Sequence, residues 1–314
     1  MKLSDIAAKL GMKLIGNGER EILGVSSPEE AEPSKICVLW EKRLISTLSP
    51  TIAVMTREKY FDEGRDGLAA ENPRVKLAEL LGLFSDDEPF KGIDPSAKIS
   101  PSAKIASSAG VCAFAYIGEN CEVGEGTVIE PNAVLLKNVK VGKNCIIHSG
   151  AVIGTDGFGF ERTPDGIVKI PQIGGVSIGD DCEIGACTTI DRGAMGNTVI
   201  GTGTKIDNHV QIGHNVKIGR NCIICSMSGV AGSSIIEDNV TISVQAGITD
   251  HIRIGAGTTI AGRSGVTHDI AAGSVVSGFP ARNHNDSKRA LMLSVDLPSI
   301  VKRLRNVEKK LERE

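Results

Sequence analysis

Six histidines at 148, 209, 214, 251, 268 and 284 are the groups in this chain best suited to exchange a proton near neutral pH. Polar groups cluster in Asp207-Asn208-His209 followed by Gln211-Ile212-Gly213-His214-Asn215, which places two imidazoles, a carboxylate and three amides within one short stretch. That inventory suits general acid–base work on a small polar substrate. His209 and His214 are five apart, a spacing similar to that of the zinc-binding histidines of the γ-class carbonic anhydrases. A third His would be needed near 172–174, where the chain reads Gln172-Ile173-Gly174, so no metal is expected. Cys222-Ile223-Ile224-Cys225 has no second pair to complete a zinc site. No phosphate-binding Walker loop, nucleophilic serine elbow or dinucleotide fingerprint occurs, and no cofactor is expected.

These residues sit in a repeat. Ile93, Ile99, Ile105, Val111, Ile117, Val123, Ile129, Leu135, Val141, Ile147 and Ile153 are spaced by six without a slip, and the phase resumes at Ile178–Ile190 and again from Ile200 to Val266. Many of these aliphatics are followed four residues later by a small residue such as Ala103, Ala115, Cys121, Cys145 or Cys182. A period of six fits neither an α-helix nor long antiparallel strands. It fits a coil of short parallel strands, one flat face and one corner per unit, three units per turn. The aliphatics point inward, and so do Cys121, Cys145, Cys182 and Cys222 at the small position. His214, two after Ile212, and His251, three after Ile248, fall on or near corners. They are separated by close to two coils, so they should share an edge of the prism.

The pattern resembles the hexapeptide-repeat, left-handed parallel β-helix family, and the left-handed coil is what that resemblance implies. The expected fold is mainly β, with three parts. Residues 1–90 form a small α/β domain, 91–284 the β-helix, and 285–314 a C-terminal helical segment. In the first part Ser4 should cap a short helix, strands are expected near 21–25 and 51–55, and a helix should follow Pro73. Loops leave the prism at 154–177 and 191–199, where binding groups tend to sit. In the third part Pro298 should divide two helices, and Ile300, Leu304, Val307 and Leu311 alternate like a coiled-coil seam. A seam this short needs partners, so a homotrimer packed around the flat prism faces is expected.

Composition bounds the rest. Aromatics are only 3% and Gly reaches 37, so the core must be built from small and β-branched side chains. The net charge of −3 argues against nucleic-acid binding over the whole chain. Met1-Lys2-Leu3-Ser4-Asp5 meets an acid before any apolar run, and no apolar stretch approaches a membrane span, so a cytoplasmic protein with reduced cysteines is expected.

Several segments together resemble the UDP-3-O-(3-hydroxyacyl)glucosamine N-acyltransferases of lipid A synthesis. They are 154–160 (GTDGFGF), 169–174 (KIPQIG), 184–194 (IGACTTIDRGA), 206–215 (IDNHVQIGHN), 229–233 (GVAGS), 71–74 (ENPR) and 277–281 (SGFPA). The resemblance implies that His214 is the general base removing a proton from the glucosamine 2-amine as it attacks a 3-hydroxyacyl thioester on acyl carrier protein. It implies that the backbone N–H of Gly232 holds the oxyanion. Asp207 and Asn208 would orient the sugar or the imidazole, and His251 would support the substrate. The basic C-terminal helices would dock the acidic carrier protein. One segment departs from the family. Where the family grips uracil with Phe, Asn and Tyr, this chain carries Val38, Glu41 and Leu44, which lack the aromatic stack and the amide. Two other readings stay open: an acyltransferase of this fold acting on a different nucleotide or amino sugar, and a non-catalytic β-helix scaffold.

Overall fold

The structure is a computed structural model that describes residues 1–85, 89–278 and 284–311. It divides into two compact units, Met1–Glu88 and Pro89–Glu314.

The first unit is built on a five-stranded sheet. Strands Gly24–Ser26, Lys35–Val38, Ala53–Thr56 and Gly67–Ala69 run parallel, and Lys13–Ile15 pairs antiparallel at the edge. Alternation along the central strands separates two cores. Ile36, Val38, Ala53, Met55 and Leu68 pack with helix α1 (Leu3–Leu10), whereas Cys37, Leu39 and Val54 pack with Ile45 and Leu48 on the opposite face. Ser4 lies inside α1, whose N-cap is Lys2 with no side-chain bond to the first turn, so the expected serine cap is not formed. Helix α2 (Pro73–Gly82) begins with Pro at its first position, where a missing N–H costs nothing.

In the second unit the six-residue period becomes three parallel sheets. The first face has ten strands, the second nine and the third eight. Partners on a regular face are one coil apart, as in Tyr116↔Val134, Glu122↔Lys140 and Val128↔Ile146. Ile147, Ile184, Ile206 and Ile224 fill the interior behind the first face, and Ile153, Ile190, Ile212 and Val230 that behind the second. Each fully buried aliphatic contributes roughly 1.5–3 kcal/mol. Cys121, Cys145, Cys182 and Cys222 are buried at the small inward position. Buried hydroxyls there close the backbone. Thr127 Oγ1 donates to the Gly142 carbonyl at 2.7 Å and accepts the Cys145 N–H at 2.9 Å.

Most corners form with the third residue after the aliphatic turned left-handed, φ near +60°. Between the third and first faces this residue is Gly126, Asn144, Asp181, Gly203, Asn221, Asn239 or Gly257. All are types that adopt the conformation at low cost. Between the second and third faces it includes Asn120, Asn138, Asn215, Ser233 and His251. Between the first and second faces it includes Phe114, Cys187, His209, Met227, Gln245 and Arg263. The conformational cost is therefore concentrated on that last edge.

Both interruptions leave the prism. After strand Val152–Thr155 the chain forms an antiparallel hairpin, Phe160–Thr163 with Gly166–Lys169, and rejoins the third face at Gly175–Ile178. The second runs between strands Thr189–Asp191 and Asn197–Ile200.

The C-terminal segment is one helix, α3 (His284–Leu311), which runs through Pro298. This corrects the expected pair of helices. Proline removes one backbone hydrogen bond, but the Leu-, Lys- and Arg-rich turns on both sides sustain the helix. Ile300, Leu304, Val307 and Leu311 are all exposed along it. The SGFPA segment extends over Phe279, Pro280 and Ala281, which lie outside the described residues. Among those described, no helix is long and apolar enough to cross a membrane.

Candidate active site

His214 lies at the corner between the second and third faces, on the rim of a cleft of about 950 Å³. The outward positions of the second face form the floor, where Gln211 is followed on successive coils by Gly229, Gly247 and Gly265. A Cβ added at any of these three glycines would meet nothing within 4 Å, so their bareness serves the open groove and not the packing of the chain. Asp156, Phe158, Phe160 and Lys169 from the hairpin segment form one lip, and Gly232, Asp250 and His251 continue the rim. Phe158 and Phe160 meet edge to face at 5.0 Å.

Two glycines shape the seat of the imidazole. A Cβ on Gly232 would lie 2.7 Å from His214 Nε2, and one on Gly157 would lie 2.5 Å from His214 Cβ. No other residue type fits either position with the ring where it is. The Gly232 N–H donates to no group of the chain among the described residues, while its carbonyl accepts the His251 N–H at 3.1 Å.

The ring's tautomer follows from its neighbour. Asn215 Oδ1 accepts the Ala194 N–H at 2.9 Å, and its Nδ2 donates to the Met195 carbonyl at 2.8 Å. A backbone N–H can only donate, so the amide oxygen must face it. That oxygen is 3.2 Å from His214 Nδ1, which therefore carries the hydrogen. Nε2 is left as the acceptor.

The carboxylates of the cleft differ in setting. Asp156 is paired with Lys169 at 2.5 Å and approached by Arg192 at 3.7 Å. The Lys169 ammonium holds its carboxyl below the usual carboxylate range. Asp191 is buried, and burial pushes its carboxyl up, while the Gln211 amide and the charge of His214 pull it back. Gln172, also buried, donates from Nε2 to the Ile170 carbonyl at 3.0 Å, and its Oε1 has no partner among the described residues.

His214, Gly232 and His251 are thus brought to one cleft. Asp207 and Asn208 do not line it. They lie at the corner between the first and second faces, in a separate cleft of about 670 Å³ with Glu130, His148, Glu183, Lys205 and Cys225. There Asp207 accepts the Ser226 N–H at 3.0 Å and Asn208 the Ala186 N–H at 2.6 Å. His148 bridges Glu130 at 3.0 Å and Glu183 at 2.9 Å. Burial opposes its protonation, but the hydrogen bonds it donates to the two glutamates outweigh it and raise its pKa. His209 and His214 occupy different corners, so their five-residue spacing does not make a chelating pair. Among the described residues no group of three or more His, Cys, Asp or Glu could hold a metal ion.

Of the residues expected to hold uracil, Val38 is buried in one core of the first unit and Leu44 packs on the other. Glu41 is taken by Arg43 at 2.6 Å. Val38 is thus buried, and Leu44 is only partly buried.

Sequence reasoning assigned no role to Asn215, Asp191, Gly157 or Gln172. All four lie in the segments quoted above for their resemblance, yet only the coiling of the chain shows that they surround one imidazole.

A model of the bacterial transferase hexapeptide (six repeats) matches residues 120–155 and 197–232. The chain is 43% identical over 309 residues to a UDP-3-O-acylglucosamine N-acyltransferase of Hahella chejuensis, covering 91% of this chain and 89% of that one. It is 42% identical over 333 residues to that of Oleidesulfovibrio alaskensis, covering 99% and 97%. A relative of the same name from Methylorubrum populi is 56% identical over a shorter stretch of 137 residues, which spans 44% of this chain and 39% of the relative. Among solved structures, the UDP-N-acetylglucosamine O-acyltransferase of Moraxella catarrhalis superposes with a TM-score of 0.56 at 29% identity, over 63% of this chain and 77% of that one. The UDP-N-acetylglucosamine acyltransferase of Bacteroides fragilis gives 0.53 at 31%, over 57% and 68%.

Proposed function

The chain belongs to the UDP-3-O-acylglucosamine N-acyltransferases, and from that membership we propose that it transfers a 3-hydroxyacyl chain from acyl carrier protein to the 2-amino group of a UDP-3-O-acylglucosamine, with His214 as general base. The observation that carries this reading is the seat of His214. Its Nε2 is an acceptor, the unpaired N–H of Gly232 adjoins it, and an open apolar groove leads away along the second face.

The chemistry follows from those atoms. The amine nitrogen attacks the thioester carbonyl carbon while Nε2 takes the proton that nitrogen must lose. Negative charge gathers on the carbonyl oxygen, where the Gly232 N–H is available to hold it. The carbon–sulfur bond then breaks, and the imidazolium returns its proton to the departing carrier-protein thiolate. Gly229, Gly247 and Gly265 leave room for the acyl arm, and His251 is placed on the rim to steady the sugar. The exposed helix α3 carries Lys302, Arg303, Arg305 and Lys309, a basic surface suited to an acidic carrier protein.

Asp207 and Asn208, held at another edge, take part if a second protomer presents that edge to the cleft. A homotrimer around the flat faces would do so. In its favour, the edge bearing them costs about 1 kcal/mol at each bulky left-handed residue, which contact with a second protomer would offset.

The test is an assay of purified protein with UDP-3-O-acylglucosamine and a panel of 3-hydroxyacyl carrier proteins. Acyl transfer to nitrogen is expected, with at least about a thousandfold loss in His214→Ala. Full turnover by that variant would remove His214 from the mechanism. Acylation of a different nucleotide or amino sugar, but not of this one, would move the chain to another acceptor.

A further inference from the structure

One buried acid beside the cleft has no partner of opposite charge. Asp191 is 8% exposed and lines the same cleft as His214. Its strand pairs with the next coil through Thr189↔Gln211 and Ile190↔Ile212. Continuing that register sets Asp191 beside Gly213, the residue before His214.

The cations nearby are engaged elsewhere. Arg192 turns its Nε to the Gly154 carbonyl at 2.6 Å, and Lys169 pairs with Asp156. Among the described residues Asp191 makes no ion pair, and Gln211 supplies only a neutral amide. A carboxylate buried in this way is costly unless a positive charge arises next to it. The one group at hand that gains such a charge during the reaction is the ring of His214. The other titratable groups lining this cleft are Asp156 with Lys169 on the lip, and Asp250 and His251 farther along the rim.

We propose that Asp191 is a positioning residue for acyl transfer, its carboxylate stabilising the imidazolium that forms on His214 and so strengthening the base. This rests on the acyl-transfer reading above. Asn215 sets which nitrogen accepts the proton, and Asp191 sets how strongly it is held.

The experiment follows the His214 ring by NMR titration in the full-length wild type, Asp191→Asn and Asp191→Glu, with the signal assigned by its loss in His214→Ala. Asp191→Asn should lower the His214 midpoint by about one pH unit or more, and Asp191→Glu should restore most of it. In the same variants kcat should fall about 10- to 100-fold in Asp191→Asn with KM within about threefold. The acid limb of kcat/KM should follow the midpoint to lower pH. An unmoved midpoint overturns the proposal. So does a KM rise at constant kcat, which would make Asp191 a substrate contact. If no acyl transfer is found, the acyl-transfer reading fails and this role falls with it, but a midpoint shift would still establish the pairing of Asp191 with His214.

Discussion

The imidazole at 214 is defined by what is missing around it as much as by what touches it. Glycines at 157 and 232 leave space for the ring, and Asn215 spends its oxygen on orienting it. Gly232→Ala therefore carries a specific expectation. The new Cβ would fall within 2.7 Å of Nε2, and the ring must swing out of the cleft. The loss in kcat should be about a hundredfold or more, with little change in thermal unfolding, because Gly232 has no special backbone angle to lose. Near-normal kcat in that alanine variant would mean that the ring need not occupy this seat. The residue types at 214 and 215 were legible in the sequence. Their hydrogen-bond roles were not, because Ala194 and Met195, which fix the Asn215 amide, arrive from a loop that leaves the repeat.

At the scale of elements, each coil is held to the next by side chains stacked across rungs, and the bridge from Glu130 through His148 to Glu183 is built on a histidine, whose ordinary pKa lies near neutrality. The folded-state pKa of His148 lies above the ordinary value of 6.5. Its contribution is therefore fully present below the unfolded value and is lost as pH rises through the folded one. His148→Gln should accordingly narrow the gap in urea midpoint between about pH 5.5 and about pH 8 relative to wild type, with the larger loss on the acid side. An equal loss at both pH values would mean that the bridge acts by packing alone. The six-residue period predicted every face of the prism, because the aliphatic position must return inward once per side. It could not predict that Pro298 would be absorbed into a continuous α3. That outcome depends on the balance between one missing hydrogen bond and the helix-forming turns around it.

For the whole molecule, the decisive question is what covers the edge between the first and second faces. Met227 there is exposed and left-handed, next to Gln245 and Arg263 in the same conformation. Met227→Gly would relieve about 1 kcal/mol of backbone cost in each copy. If this edge is an interface, the same change should make the proposed trimer dissociate at higher protein concentration in sedimentation experiments. A trimer that instead becomes more resistant to dilution would place the edge outside the contact. The sequence alone determined the coiled architecture and the nomination of His214, since a strict period and a short polar motif are local properties that survive without coordinates. The family resemblance also grouped Asp207 and Asn208 with that histidine. Only the tertiary structure separated them. A coil turns a corner every six residues, so neighbours in the chain face different clefts, while Asp156, Asp191, Gly232 and His251 reach one cleft with His214 from different coils.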